Sequence, residues 1–155
     1  MGVQKVTAEI VRQPLAQQDG IDFVLIEQFF FAYRDFTGDA DAILEGLDFG
    51  RAHHRVLHFV NRKPGLNVAE LLDILKITKQ SLARVLKQLI DLDYIAQVTG
   101  PLDKRQRELY PTGKGRELAL QLATPQSRRI ADALESAGAG SRATIEAFLK
   151  SMSAE

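Results

Sequence analysis

The sequence predicts a mainly α fold with one small β-hairpin, arranged as a winged helix-turn-helix between N- and C-terminal dimerisation helices. Three observations carry that expectation. Apolar residues recur at helical spacing over most of the chain. Two short alternating segments, 95–99 and 107–110, follow the fourth helical stretch and read as a hairpin. Positive charge gathers in the same middle third.

That charge is hidden in the total, because 20 basic and 20 acidic side chains cancel over 155 residues. Residues 1–48 carry a net −6, residues 49–60 a net +2, residues 61–116 a net +5 and residues 117–155 a net −1. A cationic centre between acidic and near-neutral ends suggests a polyanionic partner. Three regions follow: 1–48, a lead-in and dimerisation helix; 49–116, the winged helix-turn-helix; and 117–155, C-terminal dimerisation helices.

Residues 1–20 have no periodicity and read as a lead-in. From residue 21 to about 36, Phe23, Val24, Ile26, Phe30, Phe31 and Tyr33 spread around much of one helix, which therefore needs cover on several sides, and a partner subunit could supply it. Thr37-Gly38-Asp39 reads as its stop. A second helix starts at Ala40 or at Phe49 and reaches Asn61, where Pro64-Gly65 ends it. Asn67 with Glu70 forms a capping box for a third helix to Leu75. Thr78 caps a fourth, reaching Asp91 or Leu92. After the hairpin, helix resumes beyond Thr112-Gly113 and lasts until near Ser136. Residues 137–140 break it, and Ser141 caps a last helix holding Ile145, Phe148 and Leu149.

The fourth helix carries the chemistry. At 100° per residue Leu82, Val85, Leu86 and Leu89 form one stripe, while Gln80, Arg84 and Lys87 lie opposite. The major groove admits a helix and shows each base pair as a distinct set of donors and acceptors. Arg84 suits a guanine edge and Gln80 an adenine edge. Lys79, Ser81, Lys87 and the helix start at Thr78 suit phosphates. The hairpin tip adds Asp103, Lys104, Arg105 and Arg107. An Arg there can enter a narrow minor groove, with Asp103 expected to hold the Arg105 guanidinium.

The stretch Leu75-Lys76-Ile77-Thr78-Lys79-Gln80-Ser81-Leu82-Ala83-Arg84-Val85-Leu86-Lys87-Gln88-Leu89 resembles the turn and recognition helix of the multiple antibiotic resistance regulator (MarR) family. Asp103-Lys104-Arg105-Gln106-Arg107 resembles that family's Asp-x-Arg wing tip. Leu109-Tyr110-Pro111-Thr112-Gly113-Lys114-Gly115 is similar to its wing exit, and Arg55-Val56-Leu57 resembles the helix leading in. The likeness covers about residues 49–120 in detail. It implies a homodimer with interlocked terminal helices, a repressor or activator role on double-stranded DNA, and often a small aromatic or anionic effector. Two departures stand out: Lys76 replaces a common Gly, and Tyr110-Pro111 replaces a frequent Leu-Thr. No effector residues match a family motif.

The three histidines share the second helix. His53 is expected beside the core. His54 and His58, spaced i, i+4 on another face, fit dimer or core packing, an effector pocket, or a metal pair awaiting further ligands. With no cysteine in the chain, thiol ligands and thiol redox sensing are excluded. A sensor built on His54 and His58 and a basic module docking an acidic protein are the alternative readings.

No cofactor motif is present, and catalysis is not expected. Gly113-Lys114-Gly115 lacks the phosphate-loop spacing, and there is no Gly-x-Ser-x-Gly elbow. The N-terminus shows neither a secretory nor a myristoylation pattern. The most apolar stretch, 21–33, is interrupted by Asp22, Glu27 and Gln28 and is too short to span a bilayer. A cytoplasmic, non-membrane location is the expectation.

Overall fold

The computed structural model describes residues 8–100, 102–103 and 105–153. Six helices and a three-stranded sheet are present among them: α1 Phe23–Gly46, α2 Arg51–Arg62, β1 Leu66–Asn67, α3 Val68–Leu75, α4 Lys79–Asp91, β2 Ile95–Thr99, β3 Arg107–Pro111, α5 Gly113–Ala137 and α6 Ser141–Met152.

Helix α1 runs straight through Thr37-Gly38-Asp39, where the sequence suggested a stop. Tertiary partners outweigh the local signal. Arg129 of α5 grips Asp39, and the Gln126 side-chain amide donates to the Phe36 carbonyl at 3.1 Å. The Thr37 hydroxyl turns inward to the Tyr33 carbonyl at 2.7 Å, so it caps nothing. The real break comes at Asp48, left-handed at φ 58, and Gly50, which precedes α2. The second expected start, at Phe49, is therefore the one nearer the mark.

The capping box at Asn67 and Glu70 forms as expected, with side-chain contacts of 2.9 and 3.1 Å. A two-residue strand β1 just ahead of it was not expected. It pairs Leu66 with Leu109 and Asn67 with Glu108, giving the antiparallel order β1-β3-β2. Two paired residues leave no alternation for a sequence pattern to show. At the far end, Gly140 rather than Ser141 occupies the N-cap of α6, and the Ser141 hydroxyl reaches back to the Leu134 carbonyl.

The core lies where α2, α3, α4, the sheet and the first half of α5 meet. Val56, Leu57, Val60, Leu71, Leu82, Leu89, Leu109 and Leu122 are fully enclosed there. Gly115 makes the closest approach, since a Cβ on it would stand 1.9 Å from the Tyr94 carbonyl oxygen. Only glycine lets the start of α5 lie against the turn that follows α4.

The flanks are different. Helix α6 buries no residue, and α1 buries only Ala40 and Leu44. Val24, Phe30, Phe31, Tyr33, Phe148, Leu149 and Met152 remain exposed, and Phe29 stacks on Phe148 at 5.9 Å, joining the two apolar faces. No helix of the described residues is long and apolar enough to cross a membrane.

Candidate nucleic-acid interface

The recognition element is built from its cap outward. Thr78 is extended, and its hydroxyl oxygen accepts from the Ser81 N–H at 3.1 Å while donating to the Ser81 hydroxyl at 2.9 Å. That cap starts α4 with its first N–H groups directed outward. Both hydroxyls take part in the cap. Before it, Lys76 closes α3 in the left-handed region at φ 52 and ψ 43. This is the position where the family commonly has Gly, and the geometry explains why.

From that cap, Leu82, Val85, Leu86 and Leu89 point into the core, and Gln80, Arg84 and Lys87 are exposed. The angular reading of α4 holds residue by residue. Arg84 has no hydrogen-bond or ion-pair partner among the described residues. Lys87 instead reaches Asp91 one turn on, at 2.6 Å. Three-quarters of that Lys87 side chain is exposed, so a phosphate can replace the carboxylate at small cost.

Beyond α4 the wing folds back. Its loop is closed by the Gly100 N–H donating to the Gln106 carbonyl at 2.6 Å. The Asp103 carboxylate accepts from the Arg105 backbone N–H at 2.9 Å, so it fixes the turn and does not hold the Arg105 guanidinium as expected. Arg105 is exposed. Arg107 is less free: when the Gln97 amide oxygen faces it, Nε and Nη1 donate at 3.2 and 3.0 Å across the strands. Lys104 lies outside the described residues.

One cleft brings these parts together. Lys79 and Ala83 of α4 form one wall, Arg105, Gln106 and Arg107 of the wing the other, and Val68 and Leu72 the floor. Three of the cations singled out from sequence thus border a single opening, with Arg84 and Lys87 on the adjoining outer face. Gln97 was missed because its role depends on a cross-strand neighbour that sequence spacing does not reveal.

A second opening lies between α1, α2 and α5. A cavity of about 280 Å³ is lined by Tyr33, Phe36 and Thr37 of α1, Arg51, His54, Arg55, His58 and Phe59 of α2, and Gln126 of α5. Arg51 lies over the Tyr33 ring at 5.8 Å and pairs with Asp41 at 3.2 Å. Burial lowers the pKa of His54, with neighbouring His58 adding to the effect. Burial followed by Arg62 lowers that of His58. Both rings therefore favour the neutral form more than a free histidine does. Among the described residues no group of three or more His, Cys, Asp or Glu is placed to hold a metal. Arg51, His54, Arg55 and His58 recur at i, i+3, i+4, i+7, and this stripe was the overlooked sequence signal of a polar pocket wall.

His53, expected at the core border, is buried. Its Nδ1 accepts from the Gly50 N–H at 3.1 Å, and its Nε2 meets Gln88 Oε1 of α4 at 2.6 Å. Gln88 thus turns its side-chain amide from α4 toward α2.

A capped, outward-facing polar helix beside a basic wing defines a winged helix-turn-helix protein of the DNA-reading class. The chain belongs to the MarR family, which comprises transcriptional regulators and not enzymes. The MarR family model matches residues 47–106. The HTH-type transcriptional regulator PetP of Rhodobacter capsulatus is 48% identical over 128 residues, covering 80% of this chain and 77% of PetP. Among solved structures, a MarR protein from Peptoclostridium difficile shares the fold at TM-score 0.73 and 20% identity, over 91% of this chain and 92% of that one. A MarR transcriptional regulator from Methanosarcina mazei matches at TM-score 0.68 and 25% identity, over 85% of this chain and 89% of its own.

Proposed function

We propose that the protein is a cytoplasmic transcriptional regulator that binds duplex DNA sequence-specifically as a homodimer and answers to a small-molecule effector. Residues 49–116 form the DNA-binding unit, and residues 1–48 and 117–155 supply dimerisation. The observation that carries this reading is the outer face of α4, where Gln80, Arg84 and Lys87 stand exposed over the enclosed Leu82 and Leu89. Each α4 enters a major groove, with Arg84 and Gln80 toward base edges and Lys79, Ser81, Lys87 and the Thr78 end of the helix toward phosphates. Arg105 and Arg107, together with Lys104 of the same charged run in the sequence, serve the adjoining minor groove.

Two-fold symmetry requires a palindromic site with half-sites about one helical turn apart. Dimerisation is supported by the exposed apolar faces of α1 and α6, which a lone subunit leaves in water. The cavity lined by Arg51, His54, Arg55 and His58 under three aromatic rings supports an effector with an aromatic body and an anionic group.

Selection of bound fragments from the host genome by the purified protein tests the function directly. A shared palindrome should emerge. Arg84→Ala and Arg105→Ala should each weaken binding to it. Unchanged binding by both variants would overturn the mechanism.

A further inference from the structure

Four apolar side chains hold α4 from behind, and apolar contact is not directional. It fixes depth better than it fixes rotation. Rotation matters here, because a group on the rim of a helix stands about 6 Å from its axis, so a turn of about 30° moves it by about 3 Å. That distance approaches one base step of the duplex, about 3.4 Å.

Among the described residues, one side-chain hydrogen bond joins α4 to another helix, and it is directional. His53 Nδ1 accepts from the Gly50 N–H at 3.1 Å. The ring proton therefore sits on Nε2, which donates to Gln88 Oε1 at 2.6 Å. The imidazole is fixed in turn. It stacks on Phe49 with centroids 4.6 Å apart and planes 10° from parallel, and Phe49 meets Tyr94 edge-on at 5.5 Å. Gln80, Arg84 and Gln88 form a single i, i+4 row that winds about 40° around the helix at each step. The row that begins on the groove-facing side ends at the buried histidine.

We infer that His53 is a positioning residue for base recognition: through Gln88 it sets the rotation of α4, and thereby which base edges Gln80 and Arg84 meet. This rests on the DNA-reading function proposed above. The residue has two tasks, one per nitrogen, and an amide side chain can keep either. Asn places its oxygen near the Nδ1 position, so it retains the Gly50 bond and falls short of Gln88. Gln reaches the Nε2 position and can donate to Gln88.

The test compares wild type with His53→Asn, His53→Gln, Gln88→Met and the His53→Asn, Gln88→Met double variant. Each is titrated against a fragment selected from the genome and against that fragment with single base-pair changes, and thermal melting is recorded in parallel. His53→Asn and Gln88→Met should each lower the preference for the selected fragment over its mismatched forms by about tenfold. The double variant should lose no more than either single one. His53→Gln should keep the preference, and melting temperatures should not follow the losses. Wild-type discrimination by His53→Asn, or losses that track melting temperature across the set, would overturn the inference. If the wild type selects no fragment at all, the DNA-reading function itself fails and this role falls with it.

Discussion

Arg129 holds Asp39 in a two-pronged grip across 90 residues of sequence, Nε to Oδ2 at 2.6 Å and Nη2 to Oδ1 at 2.8 Å. The bond fastens α5 to the stretch of α1 that continues past the expected stop. The guanidinium holds the Asp39 carboxyl below its usual pKa, chiefly by hydrogen bonding. A depressed carboxyl stabilises the fold above its unfolded pKa and loses that contribution as the pH falls through the folded one. Thermal melts of the wild type should therefore weaken on acidification below the ordinary carboxylate range. Asp39→Asn should melt lower near neutrality and show a flatter acid limb. An unchanged acid limb would mean that the pair contributes nothing.

The two faces of α4 should separate cleanly under mutation. Leu82→Ala and Leu89→Ala empty fully enclosed sites and should each cost about 2–5 kcal/mol of stability by denaturant unfolding. Arg84→Ala should alter stability by no more than about 0.5 kcal/mol. Its binding to the selected fragment should weaken by roughly 1–3 kcal/mol with relaxed base preference. Lys87→Ala should instead make binding less sensitive to salt.

The cavity beside His54 and His58 predicts a pH dependence of defined sign. Because burial depresses His54 and His58, the folded chain carries fewer protons than the unfolded one just below histidine's usual range, and the pair costs stability as the pH falls there. A bound anion favours the charged rings and reverses that preference. Benzoate should therefore bind several-fold more tightly at about pH 5.5 than at pH 7.5 by calorimetry. His54→Gln with His58→Gln should remove the slope, while Arg55→Ala should weaken binding at both pH values. Binding without a slope would mean that the rings do not titrate with the ligand.

Gly115→Ala should be the most damaging small substitution in the chain. Its methyl group would fall within 1.9 Å of the Tyr94 carbonyl oxygen, which is backbone and cannot swing aside. Thermal unfolding should report a loss of at least about 1–3 kcal/mol. A variant as stable as wild type would show that α5 can slide away from the turn.

Sedimentation can check the proposed dimer. Phe30→Glu with Leu149→Glu places charges on the exposed faces of α1 and α6, neither side chain belonging to the subunit's own core. The wild type should sediment as a dimer and this variant as a monomer with an intact helical spectrum. A monomeric wild type would remove the interlocked arrangement.

Where local chemistry decides structure, the sequence was readable. The capping box at Asn67 and Glu70, the Thr78 cap and the stripe from Leu82 to Leu89 all depend on neighbours within eight residues, and all form as read. Misreadings arose where a distant partner intervened. Thr37-Gly38-Asp39 has the composition of a stop, but Gln126 and Arg129 hold it helical. Asp103 is a local exception: its carboxylate can meet either the side chain or the backbone of Arg105, and the loop gives it the backbone N–H two residues on. The reach of His53 to Gln88, across 35 residues, has no signature in spacing at all.

The root of α5 has a mechanical consequence. Thr112 caps that helix through the Gly115 N–H at 3.0 Å while donating to the Asp93 carbonyl at 2.5 Å, and Lys114 Nζ donates to the Leu92 carbonyl at 2.9 Å. The segment from this anchor to Gln126, at the cavity wall, is about 16 Å long. A tilt of about 10° about the anchor carries Gln126 through about 3 Å, a displacement on the scale of one aromatic substituent. Helix α5 thus has the proportions of a lever, its root bonded to the carbonyls of Leu92 and Asp93 just past α4 and its far reach, at Gln126, forming part of the cavity wall.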